Sequence, residues 1–210
     1  MLKYGLALHT TSPQLGISLS NFVDDNRSQV WELGRDLSSH LHQYLIEFIE
    51  PISLKDLRFI AVAKGPGGFT GTRLGVVTAR TLGQQLNIPV FGISTLAAIV
   101  WSEKDKYPQA KIFAVEMDAR RGELFVAIYE VESESKGLIT HLSDSTMTAE
   151  NWEQTLQNIT TKYQVINAPA SIGNTVISVL NLAYLNWEKG MNTQWSEVLP
   201  FYGQHPVEGG

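Results

Sequence analysis

Cysteine is absent from the 210 residues, which excludes a disulfide framework, a thiolate metal site and a cysteine nucleophile. Basic charge is scarce: 16 Lys and Arg stand against 21 Asp and Glu, leaving a net charge of −5, with no block of Lys or Arg anywhere. Such a chain is poorly equipped to grip nucleic acid unaided, because that grip depends on neutralising phosphates. Long apolar runs are missing too. Stretches such as Leu96 to Trp101 fall far short of the roughly 18–20 residues that a membrane span needs. Met1 to Leu8 is too short and too quickly interrupted for a secretory signal, so a cytoplasmic protein is expected. No His-Glu-x-x-His and no Gly-x-Ser-x-Gly occurs, which removes the commonest hydrolase signatures. What remains is an ordinary globular composition, 43% apolar and 18% charged, long enough for one domain or two small lobes.

Hydrophobic periodicity predicts strands over 2–8, 15–22 and 29–33, then a helix over 35–50 in which Leu37, Leu41, Leu45 and Phe48 recur every three or four residues. Pro51 ends it. A strand over 57–63 leads through a glycine-rich turn into a helix over 72–86, whose buried side is read as Leu74, Val77, Thr81 and Leu82. A strand over 87–93 and a short apolar helix over 94–103, capped by Ser94 or Thr95, follow. The second half reads as strands over 111–117, 123–131, 138–142 and 163–167, with helices over 148–158 and 170–187. The order predicts an α/β protein with a mixed sheet, antiparallel at its start and parallel at its crossovers. The charged stretch from Glu103 to Lys106 and the breaker Pro108 divide it into a lobe over 1–102 and a smaller one over 103–210, with the helix near 170–189 a candidate to pack on the first.

The turn Gly65-Pro66-Gly67-Gly68-Phe69-Thr70-Gly71 is the most informative motif. It is neither a P-loop nor the dinucleotide fingerprint, since no Gly-Lys-Ser/Thr follows and Thr70 stands where the third glycine belongs. Two readings stay open: backbone N–H groups of Gly65, Gly67 and Gly68 meeting an anion, or a tight turn for close packing. In the helix behind it Gly71, Gly75, Ala79 and Gly83 stand four apart, a stripe almost free of side chains. It suits a close approach either to the chain's own sheet or to another subunit. His40 and His42 lie two apart on a helix and so face different ways, and His9, His141 and His205 have no partner close in sequence. A structural or surface role is the expectation for all five. Asp118-Ala119-Arg120-Arg121-Gly122-Glu123 is either a solvated hairpin turn or a charged lip at a cleft, where Arg120 would hold a carboxylate or phosphate.

The glycine-rich turn continued through Thr72-Arg73-Leu74-Gly75, together with Asn87-Ile88-Pro89-Val90-Phe91-Gly92-Ile93-Ser94-Thr95-Leu96 and the Asp118-to-Glu123 turn, resembles the bacterial TsaB (YeaZ) family. The likeness is strongest over residues 1–130. It implies an actin-like ATPase (ribonuclease-H-like) fold, two lobes with mixed sheets flanked by helices. It implies a non-catalytic subunit that binds and activates TsaD, in company with TsaE, in threonylcarbamoyl modification of tRNA adenosine 37. The tRNA would be met indirectly, through TsaD. Pairing would use a helix bundle, with Leu41, Leu45, Gly71, Leu74, Gly75, Thr78, Ala79 and Leu82 as its candidate interface, and a homodimer when the partner is missing. On that expectation Gly75→Leu abolishes pairing and leaves the isolated chain folded.

Gly65, Gly67, Gly68, Arg73, Asp118 and Arg120 are candidates for contact with a partner or with ATP or ADP at the interface of the complex. No metal and no cofactor is expected on this chain alone. Where TsaD is expected to bind metal, this chain reads Ser94-Thr95-Leu96-Ala97-Ala98-Ile99, which offers only weak hydroxyl ligands. His9 stands where actin-like ATPases place an Asp, and Pro200-Phe201-Tyr202-Gly203 departs from the family's usual Pro-x-Tyr-Leu-Arg ending. The reading of a different class is an actin-like ATPase or metallohydrolase acting alone.

Overall fold

The structure, a computed structural model, describes residues 4–132 and 136–203, the side chain of Arg120 excepted. The start of the first predicted strand, His205 and the side chain of Arg120 therefore lie outside the described residues.

Two sheets carry the chain. The first is built from β1 (Tyr4–His9), β2 (Gln14–Ser20), β3 (Asn26–Glu32), β4 (Leu57–Ala63) and β5 (Val90–Ile93), in the spatial order β3-β2-β1-β4-β5. The β1–β2 and β2–β3 pairs are antiparallel, whereas β1–β4 and β4–β5 are parallel, because α1 (Leu37–Ile49) and α2 (Phe69–Leu86) carry the crossovers. All six residues of β1 are buried, so this strand is the centre of the lobe. The second sheet consists of β6 (Ile112–Arg120), β7 (Glu123–Val131), β8 (Leu138–Thr148) and β9 (Tyr163–Asn167), in the order β8-β7-β6-β9, with β6–β9 its one parallel pair.

Strand alternation sorts these side chains into layers. Leu6, Leu8, Leu15, Ile17, Ile60 and Val62 face α1 and α2, where Leu37, Leu41, Leu45 and Ile49 form the buried stripe of α1. Ala7, Phe59, Ala61 and Phe91 face the other way, onto α5 (Val176–Glu188) through Val176, Val179, Leu180 and Ala183. The same core takes in α3 (Thr95–Glu103) and, from the second sheet, Phe113, Val115, Phe125, Ala127 and Tyr129. Helices α3 and α5 thus lie between the two sheets. The far face of the second sheet is closed by α4 (Ala149–Gln157), whose Trp152 packs on Ala114, Val126 and Ile128 and donates its indole N–H to Glu116.

Element types agree with the sequence pattern, but some boundaries move. Helix α2 begins at Phe69, three residues earlier than its period suggests, and α5 at Val176, six residues later than 170. Strand β8 runs to Thr148 instead of stopping at 142. The turn between β6 and β7 shortens to Arg121 and Gly122, both at positive φ (54° and 78°), as a two-residue hairpin turn requires.

The last described residues cross both lobes. Phe201 N–H donates to the Lys64 carbonyl, the Phe201 ring meets Phe125 edge-on, and Thr146 donates to the Gly203 carbonyl at 2.6 Å.

Candidate functional site

The glycine-rich turn is held against the end of β1. Gly68 N–H donates to the Thr11 carbonyl at 2.7 Å, and a Cβ on Gly67 would lie 2.3 Å from that same oxygen. Thr10 donates to the Gly71 carbonyl at 2.8 Å. At Gly65, which adopts φ +103°, a Cβ would come within 2.6 Å of the Phe201 carbonyl. The turn's glycines therefore let two backbones touch, and the Gly68 amide already has a protein acceptor.

Along α2 the small-residue stripe continues that contact. A Cβ on Gly71 would stand 2.1 Å from the Thr10 carbonyl, one on Gly75 2.2 Å from Thr10 Oγ1, and one on Gly83 2.2 Å from a Val90 methyl. The buried residues of α2 are Thr72, Gly75, Val76, Thr78, Ala79 and Gly83. This corrects the expected inward side: Val77 is 57% exposed and Thr81 is exposed, while Leu74 and Leu82 are half-buried. The physical reason is distance, since only residues without bulk fit where the helix lies on β1. Leu41 and Leu45 are likewise turned into the chain's own core. Of the candidate interface residues, Gly75, Thr78, Ala79, Leu41 and Leu45 are thus sealed inside this chain. Gly75→Leu would collide with Thr10, so the expectation that it leaves the fold intact is corrected too.

What α1 and α2 show outward is different. The two helices pack side by side, and Ile46 on α1 (64% exposed) and Val77 on α2 stand free of the core. At the start of α2, Phe69 (59% exposed) lies 5.1 Å from the ring of Tyr202 and carries the Arg73 guanidinium over its face at 5.1 Å. That stacking holds Arg73 beside an exposed aromatic pair. Asp118 sits at the irregularity near the end of β6, at the tip of the second sheet.

His9 ends β1 with no exposed surface. Its Nε2 lies 3.5 Å from Thr11 Oγ1, which accepts from Thr95 Oγ1 at 3.2 Å, and Nδ1 has no partner among the described residues. Burial drives its pKa down to about 4, so the ring is neutral near pH 7. A polar chain thus links the end of β1 to the start of α3. Sequence spacing of 84 between Thr11 and Thr95 hides it.

Between the lobes a second polar group forms that the sequence reading missed. Asp144 on β8 accepts at Oδ1 from Ser94 (2.7 Å) and from the buried Tyr129 (3.0 Å). Burial raises the Asp144 pKa, opposed by these two hydroxyls and by the charge of Lys64; burial and the Asp144 charge raise that of Tyr129. Among the described residues no three His, Asp or Glu side chains gather as metal ligands, and no helix is long and apolar enough to cross a membrane.

The family model described as TsaD, tRNA N6-adenosine threonylcarbamoyltransferase, matches residues 35–188. A relative from Buchnera aphidicola subsp. Schizaphis graminum, described as tRNA threonylcarbamoyladenosine biosynthesis protein TsaB, is 41% identical over 78 residues, 37% of each chain. The protein of that description from Bacillus subtilis is 37% identical over 79 residues, 38% of this chain and 33% of its own. The aligned stretches thus span about a third of those relatives. Among solved structures, YeaZ from Pseudomonas aeruginosa superposes with a TM-score of 0.76 at 19% identity, covering 95% of this chain and 99% of its own, which is a likeness of fold.

Proposed function

Because the chain belongs to the TsaB (YeaZ) family, inside the group that the TsaD model matches, we propose that it is a non-catalytic subunit of the machinery that makes threonylcarbamoyladenosine on tRNA. It binds TsaD and activates it, and TsaE joins the pair. The observation that carries this reading is the outward face of α1 and α2, where Ile46 and Val77 leave apolar surface uncovered on two adjacent helices. Exposed apolar side chains on two adjoining helices suit a contact with another protein. A stable pairing buries more than about 1,000 Å², which two helices against two helices can supply.

Leu74 and Leu82 are half-buried against the chain's own core, and without a partner the outward face pairs with a second copy of the chain. Arg73, stacked on Phe69 at the exposed start of α2, meets the partner or a nucleotide at the junction. Gly65, Gly67 and Gly68 shape that edge. The chain acts in the cytoplasm, and tRNA reaches it through TsaD, consistent with the acidic balance. The reading of an ATPase acting alone draws nothing from the end of β1, where a sealed, neutral His9 offers no carboxylate.

Size exclusion with light scattering, on this chain alone and with TsaD of the same organism, tests the proposal when threonylcarbamoyl transfer is assayed in both samples. A mixed complex whose activity needs both chains is expected. Transfer or ATP hydrolysis by this chain alone would overturn it.

A further inference from the structure

The two lobes meet around a cavity of about 250 Å³ at the carboxyl ends of β4 and β5, lined by Lys64, Ser94, Tyr129, Asp144 and the apolar side chains of Leu138 and Leu182. In α/β sheets with parallel strands, the space beyond the carboxyl strand ends is where ligands sit. The volume lies below the ~300–1,000 Å³ typical of drug-sized ligands, which suits a small metabolite.

The start of α3 is closed to a phosphate. Thr95 N–H donates to the Gly65 carbonyl, Leu96 and Ala97 N–H to Ser94 Oγ, and Ala98 N–H to the Ser94 carbonyl. Lys189, at the rim, is paired with Glu132 at 3.2 Å.

Two charges of the cavity wall remain. Asp144 takes both of its hydrogen bonds on Oδ1, and Oδ2 takes none among the described residues. Lys64 is close enough to act on the Asp144 carboxyl through its charge, yet no ion pair joins them within 4.0 Å. A positive and a negative group that face one cavity, sense each other and do not touch leave a gap for a molecule carrying the opposite charge at each end. Of the remaining wall, Ile93, Ala97, Leu138 and Leu182 make an apolar part, and Thr140, Ser143 and Asn186 make a polar part.

We propose that this interlobe cavity binds a free apolar α-amino acid, its ammonium on Asp144 and its carboxylate on Lys64, with the side chain against Leu138 and Leu182. The site is separate from the partner face on α1 and α2, and the inference stands without the reading given above for that face.

Isothermal titration of the full chain with L-leucine tests it, beside N-acetyl-leucine, which lacks the ammonium, and leucine methyl ester, which lacks the carboxylate. Saturable one-to-one binding of leucine is expected, with each blocked analogue weaker by roughly tenfold or more. Lys64→Gln, on the cavity wall, should weaken leucine by a similar factor with an unchanged melting curve. Asp144→Asn should abolish binding; if it does not fold, Lys64→Gln alone decides. No heat with leucine, valine or methionine up to about 10 mM, well above a millimolar Kd, overturns the proposal. So does equal binding of N-acetyl-leucine, which would mark a plain anion site, or undiminished binding by Lys64→Gln.

Discussion

The two sides of α2 obey opposite rules. Inward, the helix offers Gly71, Gly75, Ala79 and Gly83 and lies so close to β1 and β5 that an added methyl group would stand within about 2 Å of Thr10 or Val90. Outward, Val77 stands in the open, as does Ile46 on the adjoining α1. The inner side tolerates no change and has nothing left to bind with; the outer side tolerates change and has surface to bury. A stripe of small residues reads equally well as either kind of contact. The difference lies in which neighbour arrives first, and in this chain its own strand does.

The largest effect should come from violating the inner side. Gly75→Leu drives a side chain into Thr10 and Val62 and is expected to cost about 3 kcal/mol or more, read from urea unfolding. Unfolding at the wild-type midpoint would mean that the helix can lift off the sheet. Next is protonation at the end of β1. His9 has its folded pKa lowered to about 4 against 6.5 unfolded, so between those values the unfolded chain binds the extra proton. Its contribution is fully present above pH 6.5 and is lost as pH falls towards 4, by up to about 3 kcal/mol. The slope of stability against pH should flatten in His9→Gln, and an unchanged slope would contradict this.

A milder break is Thr10→Val, which removes the hydrogen bond to the Gly71 carbonyl while keeping the shape, at a cost of about 1 kcal/mol by thermal or urea unfolding. The smallest effect on stability belongs to the outer side. Ile46→Asp combined with Val77→Asp should shift folding by no more than about 0.5 kcal/mol and yet abolish the mixed complex in light scattering. Retained pairing would place the partner elsewhere.

Much of the architecture is legible in the sequence, because β2 sets Ile17 and Leu19 against Ser18 and Ser20 and α1 repeats Leu37, Leu41 and Leu45 at helical spacing. Periodicity misplaces the inner side of α2 for a physical reason. Hydrophobic periodicity weighs side chains, and glycine has none, so Leu74 and Val77 outvoted the residues that are in fact buried. The sequence pattern starts α5 too early because Ala170 and Ile172 extend it, whereas Gly173 to Thr175 form a tighter turn, with Gly173 bound to Gln14. The start of α2 and the sealed His9 needed contacts of the end of β1 with segments 60 to 90 residues away. Asp144, Tyr129 and Lys64 come from three strands or strand ends in two sheets, and no local spacing joins them. A half-buried serine cap at Ser94 and an unexplained acidic residue in a strand are the nearest thing to a signal.

The position of α5 bears on how the chain can assemble during synthesis. One face of the first sheet, with Ala7, Phe59, Ala61 and Phe91, is covered by Val176, Val179, Leu180 and Ala183, and Gly173 reaches back to Gln14 across 159 positions. A ribosome delivers residues in order, so all five strands of that sheet emerge long before the helix that completes them. The nascent chain therefore carries an uncovered apolar sheet face while the whole second lobe is being made. Its exposure to chaperones and to aggregation is set by the time needed to translate about eighty further residues, and not by the stability of the finished fold.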